Sequence, residues 1–491
     1  MQQRQYPTVH LHVGAKRLTA GSGGTHAHIC PATGAVTGEI PLAGTAEVEA
    51  AVEAAHAAYD SWRRWRPAER RDVLLKLATL LGEKAEKLGE YTTMDNGIPV
   101  SVTSQHGPIA KSWIAYYAGL SDKIEGQVTA SPIDGGDFGY TAMDPYGVVG
   151  LIVTWNGPVA NLCMKAGAAL AAGNTIVVKS PEVTPYSLEI FMECVREAGI
   201  PAGVVNLFPG GPEAGAALVA HPKVKKISFT GGPAGARKVL AACAEQIKPA
   251  VVELGGKSAN IIFADADLDF AAQHAALFSA AIISGQGCAF PTRCLVEESV
   301  YEDVIQRIVA ILGAIKIGDP WDPTTVMGPV LTEASMNRIL DIVAKADADG
   351  DGKLILGGKR VGGEHANGFY IEPTVFRDVD NASPLAQEEI FGPVLAIMKF
   401  SDEDEAIRLA NDTRYGLAAY IQSNNLRRVH RVAAQLAAGG IYVNGGSFID
   451  PASPFGGLGL SGFGREGGRY GLEEFLQPKA IRIGTGQIVF G

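Results

Sequence analysis

The sequence lacks an apolar run long enough to cross a membrane. Its longest uncharged stretch, Pro145 to Met164, is interrupted by Pro158, two Asn and several Gly. A spanning helix needs about 20 continuous, predominantly apolar residues, so we expect no membrane partner. The opening residues, MQQRQYPTVH, also lack the apolar core of a secretory signal, which predicts a cytoplasmic protein.

Cysteine and positive charge are also scarce. Six Cys in 491 residues form no CxxC pair, so we expect no metal site and free thiols in a reducing compartment. The 42 Lys and Arg residues oppose 52 Asp and Glu residues, which gives a formal net charge of −10, and no basic patch stands out. This balance argues against nucleic acid as a partner.

Apolar residues, by contrast, make up 47% of the chain, and their patterning predicts an α/β fold. Residues 46–61 and 68–90 show helical periodicity. From residue 147 onward, short β-branched runs alternate with helical segments, which is typical of a parallel sheet covered on both faces. The strands are predicted over 148–155, 175–179, 204–208, 225–230 and 250–254, and the helices over 158–171, 184–198, 213–220 and 234–246.

The second half of the chain repeats this alternation and predicts a second α/β domain. Strands are predicted over 260–263, 292–298 and 394–400, and helices over 268–282, 301–315, 333–347, 402–411 and 425–437. The final segment, 476–490, resembles strands without a core of their own. Because strands with exposed edges usually pair, we interpret it as an intersubunit arm.

One cysteine is placed where a nucleophile could act. Cys288 follows the long apolar segment in ISGQGCAF, among small residues that would let a substrate approach. Nearby backbone N–H groups could lower the pKa of its thiol. An inert buried thiol is the alternative, and the local sequence leaves both open.

Polar residues follow several predicted strands, where open sheets bind ligands. Glu253 lies near the end of the predicted strand AVVEL, shortly before Gly255 and Gly256, and could act as a general base. Asn156 in VTWNGPV could donate to a developing oxyanion. The alternatives are a Glu in a surface turn and ordinary Asn-Gly turn chemistry.

Two further strand ends could hold a nucleotide. Lys179 and Glu182 follow TIVVK and could bind ribose hydroxyls, although an exposed turn with a surface ion pair is equally compatible. The turn FTGGPAGA (229–236) opens a helix whose N–H groups could cradle a pyrophosphate. No GxGxxG fingerprint is present, so this signal is weak alone.

A series of motifs nevertheless runs along nearly the whole chain. They are WN at 155–156, KSPE at 179–182, FTGG at 229–232, ELGGK at 253–257, GQGC ending at Cys288, EEIFGPV at 388–394 and SPFGGLGLSGFGREGGRYGLEEF at 453–475. In content, order and spacing they resemble the aldehyde dehydrogenase superfamily, of the NAD(P)-dependent hydrolytic type. The resemblance implies a Rossmann-type cofactor domain, an α/β catalytic domain and a small β oligomerisation piece.

The resemblance also implies catalytic roles. Cys288 would add to the aldehyde to form a thiohemiacetal, with Asn156 and the Cys288 backbone N–H as the oxyanion hole. Loss of hydride would leave a thioester, and Glu253 would activate the water that hydrolyses it. Lys165 and Glu466 match positions implicated in a proton relay with this base.

NAD is the cofactor that the resemblance implies. A carboxylate at Glu182 hydrogen-bonds ribose hydroxyls and repels a 2′-phosphate, so NAD is favoured over NADP. The matching cofactor-binding positions are Trp155, Lys179, Glu182, Thr230, Gly231, Gly232, Glu389 and Phe391. Gly232 departs from the family pattern, since Ser is frequent there and could contact a phosphate.

The substrate is less defined than the reaction. Gly157 replaces a customary Phe and would widen the site near the nucleophile. By the family's layout, the tunnel residues would be Asn161, Met164, Phe290, Phe448 and Phe455. This mixture suggests an aliphatic or aromatic aldehyde, including one with a polar group, unless several of these residues are simply core.

Two other functions are alternatives to hydrolytic oxidation. In a CoA-acylating relative, CoA would resolve the thioester, but such relatives typically lack a carboxylate at the position of Glu253. A non-catalytic NAD-binding or structural protein of the same fold would have no need for Cys288, Glu253 and Asn156 together.

The resemblance further implies domain boundaries and assembly. Residues 1–122 and 146–254 would form the NAD-binding domain, and 255–460 the catalytic domain. Residues 123–145 and 474–491 would form an oligomerisation arm, whose strands pair across subunits in a homodimer or homotetramer.

Overall fold

The computed structural model describes residues 5–130 and 138–484, which fold into two large β-sheets flanked by helices and two small sheets. The strands are β1 (Leu11–Val13), β2 (Lys16–Leu18), β3 (Thr25–Ile29), β4 (Val36–Pro41), β5 (Val128–Thr129), β6 (Phe138–Pro145), β7 (Val148–Ile152), β8 (Thr175–Ser180), β9 (Val205–Pro209), β10 (Val224–Thr230), β11 (Ala250–Glu253), β12 (Ala259–Ile262), β13 (Arg293–Glu297), β14 (Lys353–Leu356), β15 (Thr374–Arg377), β16 (Val394–Phe400), β17 (Ala418–Gln422), β18 (Gly440–Val443), β19 (Gly462–Phe463) and β20 (Leu476–Ile483). The α-helices are α1 (Thr45–Trp62), α2 (Pro67–Glu83), α3 (Ala85–Asn96), α4 (Val100–Thr103), α5 (His106–Leu120), α6 (Pro158–Ala171), α7 (Tyr186–Ala198), α8 (Pro212–Ala220), α9 (Pro233–Ala244), α10 (Leu268–Ala276), α11 (Tyr301–Ala314), α12 (Glu333–Asp349), α13 (Pro384–Gln387), α14 (Glu403–Asn411), α15 (Leu426–Ala433) and α16 (Gly468–Glu473).

The first large sheet is doubly wound. Its order is β19-β11-β10-β7-β8-β9-β1-β2, and the strands from β11 to β9 run parallel. The chain builds β7, β8 and β9 in one direction and then returns to place β10 and β11 on the other side of β7. A switch point therefore lies between β7 and β10, where sheets of this kind bind ligands beyond the strand ends.

The second large sheet has the order β14-β15-β16-β13-β12-β17-β18, parallel throughout except at β14. The segment between β11 and β12, residues 254–258, links the two sheets directly. The two series of alternating strands and helices predicted from the sequence thus correspond to the two large sheets. The candidate residues of both sheets come together near this link. None of the helices in the described ranges combines the length and apolar character needed to cross a bilayer.

The terminal strand finds a partner within its own chain. β20 pairs antiparallel with β6 along its whole length, and β5 completes a three-stranded sheet. The edge of β20 that faces away from β6 has no strand partner among the described residues. Residues 131–137 and 485–491 of the predicted arm lie outside the described residues.

Helix α6 carries three of the candidate residues, Asn161, Met164 and Lys165, and packs closely where its side chains are small. A Cβ at Gly167 would lie 2.9 Å from the Tyr117 ring, so glycine lets α5 approach. Pro158 begins the helix, where its missing N–H costs no hydrogen bond. The helix therefore starts two residues after Asn156, with Gly157 between them.

Two predicted helices are wrong in extent. The helix expected over 68–90 is divided at Lys84 into α2 and α3, and Lys84 instead pairs with Glu193 at 2.7 Å. The helix expected over 268–282 ends as α10 at Ala276, and a π turn and a 3₁₀ turn follow. Ile283 and Ser284 have positive φ, 45° and 53°, so the chain turns sharply there.

Tertiary contacts explain this sharp turn. The Ser284 hydroxyl donates to the carbonyls of Gly328 at 2.8 Å and Pro329 at 3.2 Å. Non-glycine residues rarely adopt positive φ without such support. The turn directs the following loop, with Cys288, towards the first sheet.

Candidate active site

The switch point of the first sheet holds two of the sequence-predicted turns side by side. Thr154, Trp155 and Asn156 follow β7, and Thr230, with Gly231 after it, ends β10. The Asn161 side chain joins the two, because its Oδ1 accepts from the Thr154 N–H at 3.3 Å and its Nδ2 donates to Thr230 Oγ1 at 3.3 Å. Asn161, expected in the substrate tunnel, thus stabilises the two strand ends.

Asn156 reaches the loop that carries the candidate nucleophile. Its Nδ2 donates to the carbonyl of Gln286 at 2.9 Å, two residues before Cys288. The Cys288 side chain is half-buried. Burial, followed by the negative charges of Glu389 and Glu253, raises the pKa of its thiol to about 12, while the N–H groups of Ala289 and Cys288 itself lower it.

Glu253 ends β11 and is almost completely buried. Neither of its carboxylate oxygens has a hydrogen-bond partner among the described residues. Burial, assisted by the charge of Glu466, holds the pKa of this carboxyl well above its usual range, and Lys165 opposes the shift. A Cβ at Gly456 would lie 2.6 Å from Oε1, so a glycine gives this carboxylate room.

Lys165 and Glu466 form a buried ion pair beside this base. The Lys165 ammonium donates to Glu466 and, at 2.8 Å, to the Ser228 hydroxyl. The backbone of Glu466 is held by reciprocal hydrogen bonds with Phe455, at 2.5 and 2.7 Å. The two residues are 301 positions apart in the sequence, but they lie together close enough to Glu253 for their charges to affect its pKa.

The end of β8 provides a second polar turn. Lys179 and Glu182 form an ion pair with 3.7 Å between Nζ and Oε2. Burial lowers the pKa of Lys179, and the charge of Glu182 counteracts this. Two charged groups are thereby held together at the carboxyl edge of the sheet, next to the switch point.

Glycines shape the turn between β10 and α9. A Cβ at Gly231 would lie 2.6 Å from the Phe229 ring, so this position excludes side chains. Gly232 immediately precedes α9, and a Cβ there would meet no atom within 4 Å. The helix N-terminus therefore faces open space, which suits an anionic group such as a phosphate.

Glu389 and Phe391 lie in the segment between α13 and β16, and the charge of Glu389 acts on the Cys288 thiol. Glu389 accepts from the Gly256 N–H at 3.1 Å, and burial raises the pKa of its carboxyl to about 7. A Cβ at Gly255 would overlap this carboxylate. Phe391, with φ of 53°, packs edge-on against Trp155 with 5.2 Å between ring centroids.

Most of the expected tunnel residues gather around the thiol. Met164, Phe448 and Phe455 share one apolar cluster with Cys288. The ring of Phe290 is buried, with its centroid 6.4 Å from that of Phe448. The thiol thus borders an apolar, partly aromatic wall.

Sequence reasoning missed two tyrosines of the same cluster, Tyr420 and Tyr442. The Tyr420 hydroxyl donates to the carbonyl of Ala289 at 2.9 Å, and the Tyr442 ring centroid lies 5.4 Å from that of Tyr420. Both occur on strands of the second sheet, β17 and β18. Their sequence signal is an aromatic residue within a short apolar run, which by itself indicates only a core strand.

Comparisons with known proteins point to one family. The model of the aldehyde dehydrogenase family matches residues 18–481. An aldehyde dehydrogenase of Enchytraeus buchholzi is 41% identical over 94% of this chain and 93% of its own, and a betaine aldehyde dehydrogenase of Cereibacter sphaeroides is 38% identical over 99% of each. The NAD⁺ complex of an aldehyde dehydrogenase from Bacillus cereus superposes with a TM-score of 0.93, at 37% identity over 98% of this chain and 97% of that one.

Proposed function

This chain belongs to the aldehyde dehydrogenase family, and we propose that it oxidises an aldehyde to a carboxylic acid with NAD through a thioester on Cys288. The observation that carries the proposal is the hydrogen bond from Asn156 to the Gln286 carbonyl. It holds an amide donor of the first sheet against the loop of the candidate nucleophile, next to a buried carboxylate.

The first step requires a thiolate and an oxyanion site. The Cys288 sulfur adds to the aldehyde carbon and forms a C–S bond, while the carbonyl electrons move to oxygen. The Asn156 amide and the Cys288 backbone N–H then donate to this oxyanion of the thiohemiacetal. Loss of hydride from the same carbon leaves a thioester on Cys288.

The residues at the carboxyl edge of the first sheet fit NAD. The open N-terminus of α9 suits the pyrophosphate, and the Glu182 carboxylate beside Lys179 suits ribose hydroxyls. Glu389 and Phe391 are the residues proposed to bind and pack the nicotinamide ribose. When bound, NAD supplies the hydride acceptor.

Hydrolysis completes the reaction. Glu253 takes a proton from a water molecule as that water attacks the thioester carbon. The C–S bond breaks, the acid leaves, and the thiolate of Cys288 is regenerated. The Lys165–Glu466 pair is proposed to relay the proton away from Glu253.

The test is NADH formation by the purified protein with aliphatic, aromatic and hydroxylated aldehydes. It compares NAD with NADP, each with and without CoA. Turnover with NAD alone supports hydrolysis by Glu253. Turnover only with CoA would assign this role to CoA instead, and NAD binding without turnover of any aldehyde would favour a non-catalytic protein.

Glu182→Gln is expected to relax the preference for NAD. Loss of the negative charge removes the repulsion of a 2′-phosphate, so the ratio of kcat/KM for NAD to that for NADP should fall at least about tenfold, as an interaction of about 1.4 kcal/mol would give. Steady-state kinetics with both cofactors measure the ratio. Glu213→Gln, which removes a carboxylate from the first turn of the neighbouring helix α8, should leave the ratio unchanged, and an unchanged ratio in Glu182→Gln would contradict the assignment.

Residues 1–122 and 146–254 are proposed as the NAD-binding domain, 255–460 as the catalytic domain, and 123–145 and 474–491 as the oligomerisation arm. The outer edge of β20 is unpaired among the described residues, and Ile483 and Phe138 are 56% and 55% exposed. Deleting residues 477–491, which spares the buried Leu476, should reduce the particle from a dimer or tetramer to a smaller species in light scattering. An unchanged particle mass with an unchanged melting temperature would exclude the arm.

A further inference from the structure

A buried tyrosine on the second sheet holds the loop of the proposed nucleophile. Tyr420 lies in β17, between β12 and β18, and is 1% exposed. Its hydroxyl donates to the carbonyl of Ala289 at 2.9 Å. Ala289 directly follows Cys288, so this hydrogen bond joins an interior strand of the second sheet to the residue next to the thiol.

The loop needs such a connection because it has little regular structure. Residues 286–292 belong to no helix or strand. Within this loop, Phe290 N–H bonds Gly287 at 3.2 Å, and Asn156 holds Gln286 from the first sheet. Tyr420 fixes the opposite side of Cys288 from the second sheet, so the thiol is held between the two sheets.

The position of Ala289 matters for the thiol itself. Hydrogen bonding from the backbone N–H groups of Ala289 and Cys288 lowers the pKa of the thiol and so favours its ionised form. A bond to the Ala289 carbonyl restricts rotation of that residue, and with it the direction of its N–H group. The oxyanion site also includes the Cys288 N–H, one residue away.

We propose that Tyr420 is a positioning residue that acts on the reaction through the Ala289 carbonyl, by holding the Cys288 loop in its reactive conformation. The inference rests on the proposed role of Cys288. The Tyr420 ring has a separate packing role, since its centroid lies 5.2 Å from that of His274 and 5.4 Å from that of Tyr442. Only the hydroxyl makes the bond to the loop.

Tyr420→Phe separates the two roles, because it keeps the ring and removes only the hydroxyl. The control is Tyr370→Phe: Tyr370 is also buried, and its hydroxyl donates to a backbone carbonyl, that of Gly318 at 3.1 Å. Both variants leave one carbonyl without its donor. Their melting temperatures should therefore fall by similar amounts.

The two variants should differ in their chemistry. Tyr420→Phe should lower kcat about tenfold, leave the KM for NAD within twofold, and slow alkylation of Cys288 by iodoacetamide about threefold at every pH from 7 to 10. Tyr370→Phe should match the wild type in all three. Wild-type kcat and alkylation rates in Tyr420→Phe would overturn the proposal.

The role of Cys288 is tested separately, with peptide mapping of the alkylated residue and with Cys288→Ala. Retained turnover in Cys288→Ala would refute the proposed function itself. An inactive Cys288→Ala beside a fully active Tyr420→Phe would refute only the positioning role.

Discussion

Cys288→Ala is expected to abolish aldehyde oxidation, with kcat reduced at least about 10⁴-fold, as removal of a covalent nucleophile typically does. Without the sulfur, no thiohemiacetal forms, and neither Asn156 nor Glu253 can supply a bond to the substrate carbon. NADH formation with the best aldehyde of the panel measures the loss.

The cofactor should still bind to this variant. The residues proposed to contact NAD lie at or just beyond the ends of β7, β8 and β10, or between α13 and β16. None of the proposed contacts involves the sulfur of Cys288. The Kd for NAD, measured by calorimetry, should remain within about threefold of the wild type, which corresponds to less than about 0.7 kcal/mol. Cys30→Ala is the matched control, since Cys30 is the other half-buried thiol of the described residues, and it should keep full activity. Turnover in Cys288→Ala comparable to that control would rule out the thioester.

The alternation of strands and helices could be predicted because local signals agree with the tertiary structure. The helix predicted over 158–171 begins and ends as α6 does, since Pro158 suits a first turn and the small side chains suit burial. The helix predicted over 268–282 was wrong because π and 3₁₀ turns follow Ala276, and the Ser284 hydroxyl stabilises the second of these turns by donating to carbonyls 44 and 45 residues away. A contact between residues so far apart cannot be predicted from a local sequence pattern.

In the candidate site, too, local signals could be predicted and long-range contacts could not. The placement of Glu253 at the end of β11 and of Asn156 just beyond β7 could be predicted, because parallel strands bring their carboxyl ends to one edge. Tyr420 could not, because all five residues of its strand are buried and no alternation indicates which side chain faces the thiol. The pairing of Lys165 with Glu466 spans 301 positions and rested on the family resemblance alone.

Glu253→Gln is expected to separate acylation from hydrolysis. Gln keeps the shape of the side chain but cannot accept a proton, so the thioester should form and then persist. General base catalysis contributes about 10²- to 10⁴-fold, and steady-state turnover should fall by that factor. Rapid mixing should then show a burst of one NADH per active site, followed by slow turnover. Glu189→Gln is the control, because Glu189 is also a buried carboxylate of the same half of the chain, and it should show no burst of this kind.

The pH dependence gives this prediction a sign. The pKa of Glu253 is raised by burial, so its basic form appears at higher pH than that of an ordinary glutamate, and hydrolysis by the wild type should accelerate as pH rises through this shifted titration. The slow hydrolysis of Glu253→Gln should lose this increase.

Stability should change in the opposite direction. A carboxyl whose folded pKa lies above its unfolded pKa makes the folded protein less stable as pH rises through the interval between the two values. Glu253→Gln removes this cost, so its melting temperature should exceed that of the wild type at pH 8 and approach it at pH 5. A variant with lower stability at both pH values and no NADH burst would show that Glu253 serves the fold rather than the water.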